Sequence, residues 1–174
     1  LIFGICLLFV YLLLAAQYES LLLPFPVILS LPAGIFGSYF FLQLAGLENN
    51  IYAQVALVML IGLLGKNAIL IVEMANQYRK QGMSIFDAAV RGSVSRLRPI
   101  LMTSFAFICG LIPLVMASGA GALGNRSIGT AAAGGMFIGT FVGIFLVPGL
   151  YLIFESWSAH LNRNKVSYDE EDEK

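Results

Sequence analysis

Four polar residues stand out in a chain that is otherwise built to avoid water: Lys66, Asn67, Arg96 and Thr103. Lys66 falls near the midpoint of the run from Val55 to Ala75, VALVMLIGLLGKNAILIVEMA, which has membrane-spanning character. An ammonium at that depth costs at least ~2.5–3.5 kcal/mol on insertion scales, so it is normally kept because it pairs with something. Asn67 adds a second polar group at the same level. Three explanations remain open for Lys66. Backbone carbonyls or water satisfy it, it carries a retinal-type Schiff base, or it is the charge partner in an ion or proton pathway. The Schiff base fits poorly, since no tryptophan lies in a span and no carboxylate sits one turn away. The pathway reading is preferred, and it requires a carboxylate partner. Glu73 shares a helix face with Lys66 but lies roughly 10 Å along the axis, too far for direct pairing. It reads as an interfacial carboxylate, so the partner is expected from outside this chain.

Arg96 and Thr103 lie on one face of the following helix, seven residues apart. Arg96 and Arg98 both suit anchoring on the positively charged side of a membrane. The alignment of Arg96 with Thr103 also suggests a polar track leading inward. Thr103 alone is weak, because a threonine in a membrane helix usually bonds its own backbone.

The elements that must carry these residues are apolar helices. Of 174 residues, 59% are hydrophobic and 11% charged, against roughly 25% charged in a soluble domain. Mean hydropathy is +0.85. A hydrocarbon core needs about 20 apolar residues per helix. Runs at 1–16, 24–45, 51–75, 99–117 and 128–154 meet or approach that length. They lack the period-2 alternation of barrel strands. The expected fold is all-α, a polytopic membrane helix bundle of five transmembrane helices in a single domain, residues 1–157. A polar acidic tail, 158–174, is expected to be disordered and cytoplasmic. Between the third and fourth spans, a short interfacial helix is expected at about 85–97, opened by a capping box at Ser84 and Asp87. Pro99 then suits the first turn of the next span.

Loop charge orients the bundle. Arg79, Lys80, Arg91, Arg96, Arg98, Arg163, Lys165 and Lys174 fall on one side and Arg126 alone on the other, which makes the first side cytoplasmic. Gly135, Gly139 and Gly143 form a face that another helix can approach closely. Pro24, Pro26, Pro32, Ala33 and Gly37 of the second span are packing features too. The few basic residues, scattered between apolar spans, give no case for nucleic-acid binding. Cys6 and Cys109 lie in apolar runs and are expected to be buried small hydrophobes, with no disulfide framework. His160 has no second ligand nearby, so no metal site is expected. The chain opens at Leu1 already inside an apolar helix, without a leading Met or charged segment. It is expected to be the C-terminal piece of a longer membrane protein.

The string from Gly62 to Glu73, GLLGKNAILIVE, resembles a signature helix of resistance–nodulation–division (RND) transporters. Arg96 to Ser104, RLRPILMTS, is similar to the start of the helix that follows it. Tyr18-Glu19-Ser20, Ile112-Pro113-Leu114-Val115, Ser118-Gly119-Ala120-Gly121, Gly134-Gly135-Met136 and Phe145-Leu146-Val147-Pro148 add to the likeness, in order and spacing. The chain thus resembles the last five of twelve membrane helices of an AcrB-type multidrug efflux pump. The resemblance implies a proton-driven antiporter of hydrophobic or amphiphilic compounds in the bacterial inner membrane, not an enzyme. Protons are the coupling ion and no cofactor is needed. It implies that Lys66 pairs with two adjacent aspartates on a helix in the N-terminal remainder of the transporter. Arg96 and Thr103 contribute to the same relay, with Asn67 beside it. It also implies a homotrimer in a lipid bilayer, working with a periplasmic adaptor and an outer-membrane channel. A metal-exporting branch shares the fold, though Lys66-Asn67 looks like the hydrophobe/amphiphile branch. A structural or channel-like subunit, with Lys66 as a helix-pairing charge, is the alternative from another class.

Overall fold

The computed structural model describes residues 1–18 and 24–172, with side chains described over 1–16 and 24–161. Five helices follow in order: α1 (Ile2–Tyr18), α2 (Pro24–Leu44), α3 (Ile51–Lys80), α4 (Ile85–Val115) and α5 (Ala122–Asp172). No strand occurs among the described residues. Helices α2 to α5 each contain a stretch long and apolar enough to cross a membrane, and α1 is a shorter apolar helix. The all-α membrane bundle expected from the composition is the observed fold. Glu19 and Ser20, expected to part the first two spans, lie outside the described residues, as do Glu173 and Lys174.

One expected boundary is corrected. The interfacial helix and the fourth span are one helix, so Pro99 lies inside α4 rather than in its first turn. Proline there removes a single backbone hydrogen bond, and the flanking turns hold the helix together. The backbone of α5 runs from Ala122 to Asp172. After Gly149 that segment has neither glycine nor proline to stop it. Cys6 and Cys109 are free thiols, but Cys109 is exposed on the bundle rather than buried.

The turn between α3 and α4 sets the register of the two helices that carry the polar residues. α3 starts at Asn50, whose side chain accepts from the Ala53 N–H at 3.0 Å. It ends at Gln81, and Gly82 follows at φ 89°, the left-handed conformation that closes a helix. Ser84 then caps α4. Its Oγ accepts from the Asp87 N–H at 3.3 Å, the N-cap half of the expected box, and donates to Asp87 Oδ2 at 3.0 Å, so the carboxylate takes the Ser84 hydroxyl. Arg79 Nη1 donates to the Met83 carbonyl at 2.9 Å and ties the turn to the end of α3.

α5 packs on α2, α3 and α4 and is the central element of the bundle. Its contact with α2 is built from small residues. A Cβ at Gly37 would come within 2.9 Å of the Gly134 carbonyl oxygen and one at Gly135 within 3.0 Å of the Gly34 carbonyl oxygen. Leu60 and Leu64 of α3 press their side chains into the same crossing. Gly135 and Gly139 thus act as the expected packing face, whereas a Cβ at Gly143 would meet nothing. Ser38 Oγ donates to the Ala131 carbonyl at 2.8 Å across this interface. Close approach and interhelical hydrogen bonds hold membrane helices together where no hydrophobic difference from lipid exists.

Candidate functional site: a polar groove between two antiparallel helices

The site is positioned by a backbone contact between α3 and α4. A Cβ at Gly92 would lie 2.7 Å from the Ala75 nitrogen and 2.9 Å from its Cα, so only glycine permits this approach. The helices run antiparallel from the 81–84 turn. Moving the same number of residues along each from this contact reaches Asn67 and Ile100, which line one groove. Leu63, Lys66, Asn67 and Leu70 of α3, Pro99, Ile100, Thr103 and Phe107 of α4, and Met136 of α5 enclose a space of about 200 Å³. Lys66 and Thr103 are exposed on this side and Asn67 is half-buried. The groove contains no acidic residue.

Three of the four polar residues singled out in the sequence therefore meet: Lys66, Asn67 and Thr103. Arg96 does not line the groove. It is half-buried on α4, and its Nε is enclosed without a hydrogen-bond partner. Thr103 Oγ1 donates to the Ile100 carbonyl at 3.0 Å, the bond to its own helix expected of a membrane threonine. With its proton committed, that oxygen serves the groove only as an acceptor. Asn67 Nδ2 is buried and unpartnered. The groove thus offers a cation, an acceptor and an amide on an otherwise apolar wall, which suits an acidic group arriving from another helix.

Other polar residues received no weight in the sequence. Ser104 on α4 and Thr140 on α5 share a hydrogen bond of 2.9 Å and are both buried. Ser30 on α2 is buried and donates to the Val27 carbonyl at 2.6 Å. Tyr151 is 0% exposed, with its hydroxyl unpartnered. The signal for the first three was their occurrence as small hydroxyl residues within apolar spans, where they often join helices.

An apolar multi-helix bundle with four helices long enough to cross a membrane defines a multi-pass membrane protein. Comparison with known proteins gives the family. Residues 1–155 match the AcrB/AcrD/AcrF family, and the chain belongs to it. It is 48% identical over 155 residues to the toluene efflux pump membrane transporter TtgB of Pseudomonas putida, an alignment covering 89% of this chain and 15% of that protein. It is 44% identical over 163 residues to the multidrug resistance protein MdtF of Escherichia coli, covering 93% of this chain and 16% of that protein. A second Pseudomonas putida toluene pump, TtgE, is 44% identical over 153 residues, covering 87% and 15%. The relatives are membrane efflux transporters, and the RND resemblance read from GLLGKNAILIVE and RLRPILMTS is supported. The chain spans about 15% of the length of the relatives TtgB and TtgE.

Proposed function

We propose that this chain supplies the lysine half of a proton-coupling site in an RND pump that exports hydrophobic or amphiphilic compounds from a bacterial inner membrane. The observation that carries the reading is the convergence of Lys66, Asn67 and Thr103 on one groove that has a cation and no acid. Two carboxylates on a helix from the remainder of the transporter complete the site. In low dielectric, a lysine facing carboxylates is a two-state element. While the acids are ionised they hold the ammonium, and once protonated they release it and the helices repack. Arg96, seven residues from Thr103 on the same helix face and with an unpartnered Nε, takes a place in the same relay. Thr103 accepts a hydrogen bond, and Asn67 buttresses the lysine. Helix motion then passes to substrate-binding domains outside this chain, in a homotrimer joined to a periplasmic adaptor and an outer-membrane channel. The coupling ion is the proton and no cofactor takes part.

The test is energised export of a fluorescent hydrophobic dye by the full-length transporter carrying Lys66→Ala, at matched expression and assembly. Export is expected to fall to the level of cells without the pump. Wild-type export would reduce Lys66 to a helix-pairing charge in a structural or channel-like role.

A further inference from the structure

Asn67 faces two spaces. Besides the larger groove, it lines a small, partly open cavity of about 20 Å³. Asn67 and Ile100 are the two residues common to both, so they form the partition between them. Around the cavity stand Ser30 of α2, Asn67 of α3 and Thr140 of α5, among apolar side chains. One water needs about 10–15 Å³ of such space and two to four polar partners. The volume therefore admits a single water and nothing larger.

The hydrogen-bond inventory points the same way. Asn67 Nδ2 is buried and has a donor with nothing to receive it. A buried unmet donor costs about 1–3 kcal/mol, so it is normally satisfied. Ser30 Oγ spends its proton on the Val27 carbonyl and keeps lone pairs to accept with. Thr140 Oγ1 is tied to Ser104 Oγ and retains acceptor capacity whichever of the two donates. One water accepts from Asn67 and donates to Ser30 and to Thr140. Both of its protons and one lone pair are then used, and three bonds is the usual number for a buried water.

We infer that the cavity is a water site, and that this water fastens the Lys66–Asn67 turn of α3 to α2 and α5. The assignment stands whether or not Lys66 relays protons. No carboxylate lines the cavity, so a metal cation has no charge to hold it there. Through Thr140 the water also reaches Ser104, which links α4 into the same polar cluster.

The test is a cryo-EM map of the full-length transporter at a resolution that shows ordered water, taken for the wild type and for Thr140→Val. One peak within hydrogen-bonding distance of Asn67, Ser30 and Thr140 is expected in the wild type. It should be lost in Thr140→Val. Thermal unfolding supplies a second readout. Thr140→Val is expected to lower Tm by more than Ser104→Ala, which breaks the Ser104–Thr140 bond without touching the cavity wall. An empty cavity in the wild-type map, or an Asn67 amide bonded directly to a protein group, would overturn the site. So would a Tm for Thr140→Val equal to or above that of Ser104→Ala.

Discussion

Gly92 of α4 lies against the backbone of Ala75 in α3, so close that an added Cβ would stand 2.7 Å from the Ala75 nitrogen. The neighbouring atoms are main chain, held in a helix, and have no rotamer through which to yield. Gly92→Ala is therefore expected to push the two helices apart, at a cost of about 1–3 kcal/mol. The displacement is carried along both helices to the groove at Lys66 and Thr103. Thermal unfolding of the full-length protein should show a lower midpoint, and export should fall at matched expression. Adding Ala75→Gly should restore little, because the clash is with Ala75 main-chain atoms more than with its methyl at 3.1 Å. Full rescue by Ala75→Gly would show that the methyl alone sets the spacing.

The end of the bundle opposite the 81–84 turn has its own clamp. Asn50 caps α3 through Ala53 and also donates from Nδ2 to Ser127 Oγ at 3.0 Å, joining the start of α3 to α5. Asn50→Ala removes the cap, worth about 1 kcal/mol, and leaves the Ser127 hydroxyl, 1% exposed, without that donor. Asn50→Ser keeps a capping oxygen but lacks the amide donor. The expected order of thermal midpoints is wild type, then Asn50→Ser, then Asn50→Ala. Equal midpoints for all three would dismiss the clamp.

Much of this arrangement is legible in the sequence because membrane helices are dictated by length and polarity. Each of α2 to α5 contains a long, largely apolar stretch, and Ser84 with Asp87 announces the start of α4. Pro99 misleads because the same residue type opens helices and survives inside them; neighbouring turns decide which. Lys66 and Asn67 are legible because charge or amide at mid-span is costly, and Thr103 through its alignment with Arg96 and the family resemblance. Ser30, Ser104 and Thr140 are not. A hydroxyl in an apolar helix can bond its own backbone, as Thr103 does, or reach another helix, as Ser104 does. Only the packing distinguishes the two. The groove also depends on glycine contacts between helices that no local pattern in α3 or α4 reveals.

Orientation in the membrane is tested from the two ends of the bundle. Eight basic residues toward one end of the bundle against Arg126 at the other predict Ser84 in the cytoplasm and Leu123 outside. Both positions are exposed. Ser84→Cys and Leu123→Cys should be made in a background lacking Cys6 and Cys109, since the Cys109 thiol is itself exposed. An impermeant thiol reagent added to intact cells should label position 123 and spare position 84. Labelling at 84 would invert the assignment.

Arg96 and Arg98 separate a relay role from a membrane anchor. The two arginines are close in sequence but differ in setting: Arg96 is half-buried with an enclosed, unpartnered Nε, whereas Arg98 is exposed. An exposed arginine at the edge of the apolar stretch of α4 needs only the headgroup layer, so Arg98→Ala is expected to leave export nearly unchanged. On the proposed relay role, Arg96→Ala should reduce it at least tenfold, because Arg96 is half-buried with an enclosed Nε and shares a helix face with Thr103. Arg96→Lys is expected to recover little, since a compact ammonium does not reproduce a planar fork of donors. The converse holds at Lys66, where Lys66→Arg should fail although charge is retained. Export rates measured at matched expression decide the matter. Similar modest losses for Arg96→Ala and Arg98→Ala would leave both as anchors and confine the relay to the groove of Lys66, Asn67 and Thr103.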